Sequence, residues 1–297
     1  MEFLTVLLLG AIASISPTGA IGDARAKAAL QERLGNPEIL QVRLEGRPLH
    51  QFLLAGKLDR LRVAARGLQP LSPWRIEALD IETDPLWLDL AQLRAGAPQQ
   101  ALRQPLQAAW QTVFTEADLN QALQAPETLA RLQPIAESLR QRLPGTRGQQ
   151  YQVLSAIVDL QADNRLTLTS TVRVTRARNP KDFQNFKLQL ATAIAIENGR
   201  RLRLENPTIS VDDRPVAGRF ASILQSRLQS RLDLGQLDQS TILVRLLQLR
   251  IEQERLQLVG FVRLQPSSLP EQTSRANATT NCSSEFSVMF EPTALAR

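Results

Sequence analysis

Few residues of this chain belong to the types from which catalytic sites, metal sites and disulfide frameworks are built. Among 297 residues there is one cysteine, Cys282, and one histidine, His50. One cysteine cannot form an internal disulfide, and the chain has no clustered Cys/His signature for a metal. No serine or cysteine lies in a nucleophile-elbow context, and no glycine-rich loop could cradle a phosphate. We therefore expect a protein that is not an enzyme and that holds no cofactor or metal.

Aromatic residues are also scarce, at 4% of the chain. Because single-stranded nucleic acid is bound largely by stacking bases on aromatic side chains, we do not expect a nucleic-acid partner. The net charge is +6, and acidic and basic residues are mixed along the chain. This pattern fits a solvated surface. It also allows weak attraction to anionic lipid head groups, each nearby charge contributing about 1 kcal/mol.

The notable apolar run is at the N-terminus, from Phe3 to Ile15, and it is short. As a helix it would span roughly 20 Å, less than a hydrocarbon core of about 30 Å. The run is typical of a signal-peptide core, so residues 1–22 are predicted to be an export signal or a short anchor. The protein would then be exported, periplasmic or peripheral on a membrane. The alternative is a buried N-terminal helix of a cytosolic protein.

What the chain does have is period-two alternation, most clearly in LTLTSTVRVT at 166–175. There Leu166, Leu168, Val172 and Val174 fall on one side of an extended strand and polar residues on the other. The same pattern predicts further strands, with turns at 163–164 and 199–200 and a β-bulge near Asp59. The predicted strands are 38–45, 52–68, 75–82, 106–114, 151–160, 165–176, 186–197, 201–211, 243–252 and 255–264.

Helical periodicity is limited to a few segments. Thr115 and Asp118 form a capping-box-like start to one helix, and Pro126 separates it from the next. Leucines that step by three and four along the longer helices give each an apolar stripe. The predicted helices are 23–34, 115–123, 127–143 and 215–232.

This order of elements predicts an α+β fold over residues 23–265. A long curved antiparallel sheet would wrap around amphipathic helices, since such a sheet must cover its apolar face. A curled sheet and a leucine-lined helix can leave a groove of lipid size between them. Residues 266–297 are rich in Ser, Thr, Asn and Pro and are predicted to be a loose polar tail.

Three segments carry a resemblance to a known family. They are LAGKLDRLRVAARGLQ at 54–69, RIEALDIETDPLWLD at 75–89 and FTEADLNQAL at 114–123. With the order of sheet and helix, they resemble the LmeA-like phospholipid-binding proteins of bacterial envelopes, over about residues 24–264. The resemblance implies an exported or membrane-facing protein that binds phospholipid and has no catalytic site. It also implies a plan similar to tubular lipid-binding folds, in which a curved sheet wraps a long helix.

The predicted lipid-binding surface is formed by the apolar faces of strands 165–176 and 186–197 and of helix 215–232. Its candidates are Leu168, Val172, Leu188, Leu190, Phe220, Ile223 and Leu224. On the flanks of the helix, Arg219, Arg227 and Arg231 are candidates to meet an anionic membrane surface. Two interpretations stay open. One is a protein that binds phospholipid in the cell envelope, and the other is a structural or scaffolding module whose apolar faces are only its own core.

Overall fold

Antiparallel strands dominate the computed structural model, which describes residues 37–45, 56–95, 100–140, 149–176, 179–216 and 242–266. The strands are β1 (Ile39–Glu45), β2 (Lys57–Leu58), β3 (Arg60–Leu71), β4 (Trp74–Thr83), β5 (Leu86–Trp87), β6 (Leu106–Thr115), β7 (Gln149–Gln161), β8 (Arg165–Arg176), β9 (Asn179–Glu197), β10 (Arg201–Val211), β11 (Arg214–Pro215), β12 (Ile242–Glu252) and β13 (Arg255–Leu264). The helices of this part of the chain are α1 (Leu90–Arg94), α2 (Glu116–Gln124) and α3 (Pro126–Arg140).

The local predictions are largely confirmed. Strands β8, β10 and β13 have the predicted bounds, whereas β9 begins at Asn179 instead of Phe186. The predicted cap of α2 is present, because the Thr115 hydroxyl oxygen accepts a hydrogen bond from the Asp118 backbone N–H at 3.1 Å. The turn residues Asp163 and Asn164 both have positive φ angles, as a tight two-residue hairpin turn requires.

The strands are divided between two larger sheets, where the sequence predicted one. The six-stranded sheet has the order β1-β3-β4-β6-β13-β12, and the five-stranded sheet has the order β11-β10-β9-β8-β7. A small sheet pairs β2 with β5. The predicted bulge near Asp59 is wrong, because the chain leaves the small sheet after Leu58 and enters the six-stranded sheet at Arg60. The phase switch there marks a change of sheet.

The six-stranded sheet has one closed apolar face and one charged face. On β3, Leu61 and Ala65 are fully buried, and they alternate with arginines on the other side. Those arginines pair with carboxylates of the neighbouring strand β4, Arg60 with Glu82 at 3.1 Å and Arg66 with Asp80 at 3.0 Å. Since these pairs are partly exposed, they contribute little to stability. The closed face supplies the main core.

The five-stranded sheet is joined to the six-stranded sheet at one end. The Ile251 N–H of edge strand β12 donates to the side-chain oxygen of Asn164 at 2.8 Å, and the Leu246 N–H donates to the Gly199 carbonyl at 2.8 Å. Both acceptors lie in hairpin turns of the five-stranded sheet. Val158 and Leu160 of β7 also pack into the main core. We call this the junction end, and the opposite end, where β8 leads into β9, the distal end.

Helices α2 and α3 lie against edge strand β7. The Asn120 side chain bonds to the backbone N–H and carbonyl of Val158, at 2.7 and 2.9 Å, and Gln133 bonds to Tyr151 and Val153 in the same way. Helix α2 is tied to the six-stranded sheet by Arg75, whose guanidinium donates to Asp118 at 2.9 Å. That guanidinium also donates to the side chains of Glu38 and Glu77. These hydrogen bonds raise the pKa of Arg75, and the bond to Glu38 has the largest effect.

The predicted helix 215–232 is corrected at its start. Pro215 pairs with Ser210 in strand β11, and the intervening Asp212 and Asp213 have positive φ angles. The Val216 N–H then donates to the Ile209 carbonyl at 2.9 Å, so the chain runs extended here. The rest of that helix prediction, and those for residues 1–36 and 267–297, lie outside the described residues.

Candidate functional site

One face of the five-stranded sheet is apolar from strand to strand. In the register of β8, Leu168 faces Leu190 on β9 and Val158 on β7, and Val172 faces Phe186. Because paired residues in an antiparallel sheet project to the same face, these side chains form one surface. Its members, called the apolar face below, are Val153, Ala156, Val158, Leu160, Leu166, Leu168, Val172, Val174, Phe186, Leu188, Leu190, Ile194, Ile196, Leu202, Leu204, Ile209 and Val211.

The members of the apolar face are uncharged, and its hydroxyl groups are satisfied within the sheet. At the distal rim the same side of the sheet continues with Tyr151, Gln184 and Arg176. Ser170 and Thr192 interrupt the run of aliphatic residues. The Ser170 hydroxyl donates to the Ser155 carbonyl at 3.0 Å, and the Thr192 hydroxyl donates to the Glu205 carbonyl at 3.0 Å. Neither hydroxyl needs a polar partner from outside the sheet, so the surface suits hydrocarbon.

Burial is uneven over the apolar face. At the junction end Ala156 is 1% and Leu160 is 3% exposed. Leu166, Ile194, Ile196 and Leu202 of the same end are partly buried and pack against the main core. Toward the distal end Val172, Val174 and Phe186 are only partly buried. The closed face of the six-stranded sheet shows no such change along β3, where Leu61 and Leu68 are both 0% exposed. The distal half of the apolar face is therefore a partly accessible apolar surface.

The structure brings together the candidate residues that it describes. Leu168, Val172, Leu188 and Leu190 all lie on the apolar face, as the alternation predicted. Leu190 is buried and packs with Ile209, so it forms part of the floor, and Leu168 and Leu188 are partly buried beside it. The remaining candidates, whose positions fall between residues 217 and 241, lie outside the described residues; they are Phe220, Ile223, Leu224, Arg219, Arg227 and Arg231.

Several members of the apolar face were not among the candidates, notably Val153, Val174, Phe186 and Ile209. Counting from the hairpin turn at 163–164 would have placed Val158 opposite Leu168. The same counting fails beyond that point, because a register shift between Val153 and Ser155 moves β7 by one residue. A bulge of this kind leaves only a weak signal in the sequence.

Polar chemistry is sparse in the described part of the chain. No group of three or more His, Cys, Asp or Glu side chains there could hold a metal ion. Asp89 accepts from the backbone N–H groups of Gln92 and Ala91 at the start of α1, and these bonds lower its pKa. That carboxylate caps a short helix and is not part of the apolar face. Within the described residues, no helix reaches the length and hydropathy that a membrane crossing requires.

A comparison with family models connects this geometry to known proteins. The model of the LmeA-like phospholipid-binding proteins matches residues 13–261. The chain belongs to this family. The matched residues include β7 to β12, and with them the whole apolar face. No curated protein and no solved structure is significantly similar to the chain. Membership in this family indicates lipid binding.

Proposed function

We propose that the chain binds a phospholipid with its acyl chains against the distal half of the apolar face. The observation that carries the proposal is the partly accessible and uncharged surface around Val172, Leu188 and Phe186. Each methylene group that leaves water for such a surface contributes about 0.8 kcal/mol. An acyl chain can supply many of these groups, whereas the aliphatic and aromatic side chains of Val172, Leu188 and Phe186 offer a polar ligand no hydrogen bond.

The proposal includes the candidates on the segment 217–232. Phe220, Ile223 and Leu224 would form the second wall of the lipid site, and Arg219, Arg227 and Arg231 would lie near the head group. A sheet that wraps around this segment would give the tubular plan that the resemblance implies. The function is holding or transferring a phospholipid in the cell envelope without catalysis, after export directed by residues 1–22.

The alternative, a structural module whose apolar faces are only its core, accounts well for the six-stranded sheet. It accounts less well for the five-stranded sheet, because a protein without a partner for that surface does not usually leave apolar strand faces accessible. The two functions differ in one measurable respect, which is the presence of a lipid on the purified protein.

A matched pair of variants on β8 tests the site. Val172→Asp places a carboxylate on the apolar face, whereas Thr171→Asp places the same group on the opposite face, next to Lys187. We expect native mass spectra of the wild-type protein and of Thr171→Asp, purified from the envelope fraction of the native cell, to show bound phospholipid. Val172→Asp should carry at most about a tenth of that lipid. A bound acyl chain would bury the new carboxylate without a partner, which is strongly unfavourable.

Two results would contradict lipid binding at the apolar face. One is the absence of lipid from the wild-type protein even after incubation with phospholipid vesicles, which would favour the structural module. The other is equal lipid content in both variants, which would remove the apolar face as the site. Recovery of the protein from the cytosol alone would contradict the envelope assignment.

A further inference from the structure

The distal end of the five-stranded sheet presents an exposed aromatic side chain. Phe183 of β9 is 49% exposed and lies opposite Thr175, on the polar face of the sheet. The guanidinium carbon of Arg173 lies 4.7 Å from the centre of the Phe183 ring. This cation–π contact holds a positive charge and an apolar ring together at the rim of the sheet.

The surroundings of Phe183 are basic. Between residues 173 and 183 the sequence has four basic residues against one acidic residue, Asp182. Arg176 pairs with Asp182 at 2.8 Å, but its side chain is 72% exposed, so the pair remains open to water and to other anions. A rim that combines an exposed aromatic ring with excess positive charge is complementary to a surface that is apolar inside and anionic outside.

We propose that this distal end docks on an anionic lipid bilayer, with Phe183 entering the interfacial layer and Arg173 and Arg176 meeting lipid phosphates. Aromatic rings and arginine side chains favour this boundary, and each basic residue near an anionic surface contributes about fivefold in affinity. This docking rests on the proposed function, because its role would be to bring the apolar face to the bilayer. Val172, Val174 and Phe186 of that face lie beside the same rim. A phospholipid leaving the bilayer there would meet the apolar face directly.

The exposed apolar residue Leu247 does not share this setting. Leu247 of β12 is 62% exposed, but it lines a surface hollow at the junction end together with Asp163 and Glu205. Two carboxylates lie beside Leu247, whereas the guanidinium of Arg173 lies over the ring of Phe183. Leu247 therefore offers a matched control for Phe183.

Vesicle co-sedimentation tests the docking. The probes are vesicles of phosphatidylcholine alone and of phosphatidylcholine mixed with phosphatidylglycerol, at about 0.1 M and 1 M salt, where the screening lengths are about 10 Å and 3 Å. We expect the full chain to bind the mixed vesicles at low salt, and high salt to weaken that binding. Phe183→Ser should weaken binding to the mixed vesicles about tenfold, and a double variant with Arg173→Gln and Arg176→Gln should weaken it more than tenfold. The affinity of Leu247→Ser should stay within twofold of wild type.

Phe183→Trp provides a second measurement that needs no loss of binding. The fluorescence emission of the added indole should shift to shorter wavelength when mixed vesicles are present. The emission of the wild-type protein, which has three tryptophans, provides the baseline. Equal binding to both vesicle types, or equal loss in Phe183→Ser and Leu247→Ser, would overturn the docking. Phospholipid measured on the same preparations separates the two proposals, because wild-type protein without lipid but with normal docking would contradict the proposed function alone.

Discussion

At the scale of single residues, Gly260 shows how closely the main core is fitted. It lies opposite Trp110 in the ladder between β13 and β6, and the indole ring covers it. A Cβ atom at this position would lie 2.3 Å from the Trp110 ring and 2.9 Å from the Arg245 carbonyl oxygen. The glycine is required by the space that the indole occupies and not by a turn.

Gly260→Ala should therefore destabilise the protein by about 1–3 kcal/mol, the usual cost of overpacking a core. Urea unfolding of the full chain measures the change in the free energy of unfolding. The same substitution in a Trp110→Leu background should cost less, because the ring that it strikes is gone, although the contact with the Arg245 carbonyl remains. An equal cost in both backgrounds would show that the Trp110 ring is not the cause.

At the scale of elements, strand β7 is an edge strand whose outer backbone groups are occupied by side chains. Asn120 and Gln133 each bond to one backbone N–H and one backbone carbonyl of β7, and Glu116 accepts from the Leu160 N–H at 2.7 Å. An unpaired strand edge is a template for pairing with other chains. Helices α2 and α3 therefore protect the edge of the sheet that carries the apolar face.

Asn120→Ala should lower the free energy of unfolding by about 1–3 kcal/mol, because it leaves two backbone groups of Val158 without partners. Gln121→Ala, at an exposed position of the same helix, should have little effect and serves as the control. Urea unfolding and light scattering near the transition check both expectations. If the two variants behaved alike, the side-chain bonds of Asn120 to β7 would not be stabilising.

At the scale of the whole molecule, the two larger sheets meet where hairpin turns bond to edge strand β12. Asn164 has a large share of this contact, since its side-chain oxygen accepts from the Ile251 N–H at 2.8 Å and its own N–H donates to the Ile251 carbonyl at 3.4 Å. Its φ angle of 58° favours asparagine or glycine. One residue thus serves both as a turn former and as a link between the sheets.

Asn164→Gly should keep the turn and lose only the side-chain hydrogen bond to Ile251, so we expect faster amide exchange in β7 to β10 than in the six-stranded sheet. Asn164→Ala should be less stable than Asn164→Gly by about 1–2 kcal/mol, since alanine is strained at a positive φ angle. Asp163→Gly, at the exposed neighbouring turn position, is the control and should leave exchange unchanged. Uniformly faster exchange over both sheets in Asn164→Gly would argue against a local link.

The sequence alone determined the features that depend on neighbouring residues. The alternation along β8 and β10 defined their bounds and the apolar side of each strand, because side chains of a strand alternate between its two faces. The cap at Thr115 and the turn at 163–164 were also predictable, since each depends on residue types within four positions. These local rules were enough to place Leu168, Val172, Leu188 and Leu190 on one face.

What covers each apolar face depends on elements that are distant in the sequence. Alternation has the same appearance in β3, whose face is closed, and in the distal half of β8, whose face is partly accessible. The change from the small sheet to the six-stranded sheet after Leu58 and the position of Pro215 in a strand depend on distant partners. Burial is a property of the surrounding elements, not of the strand itself, so the candidate site emerged only when the strands were paired and the sheets joined at β12.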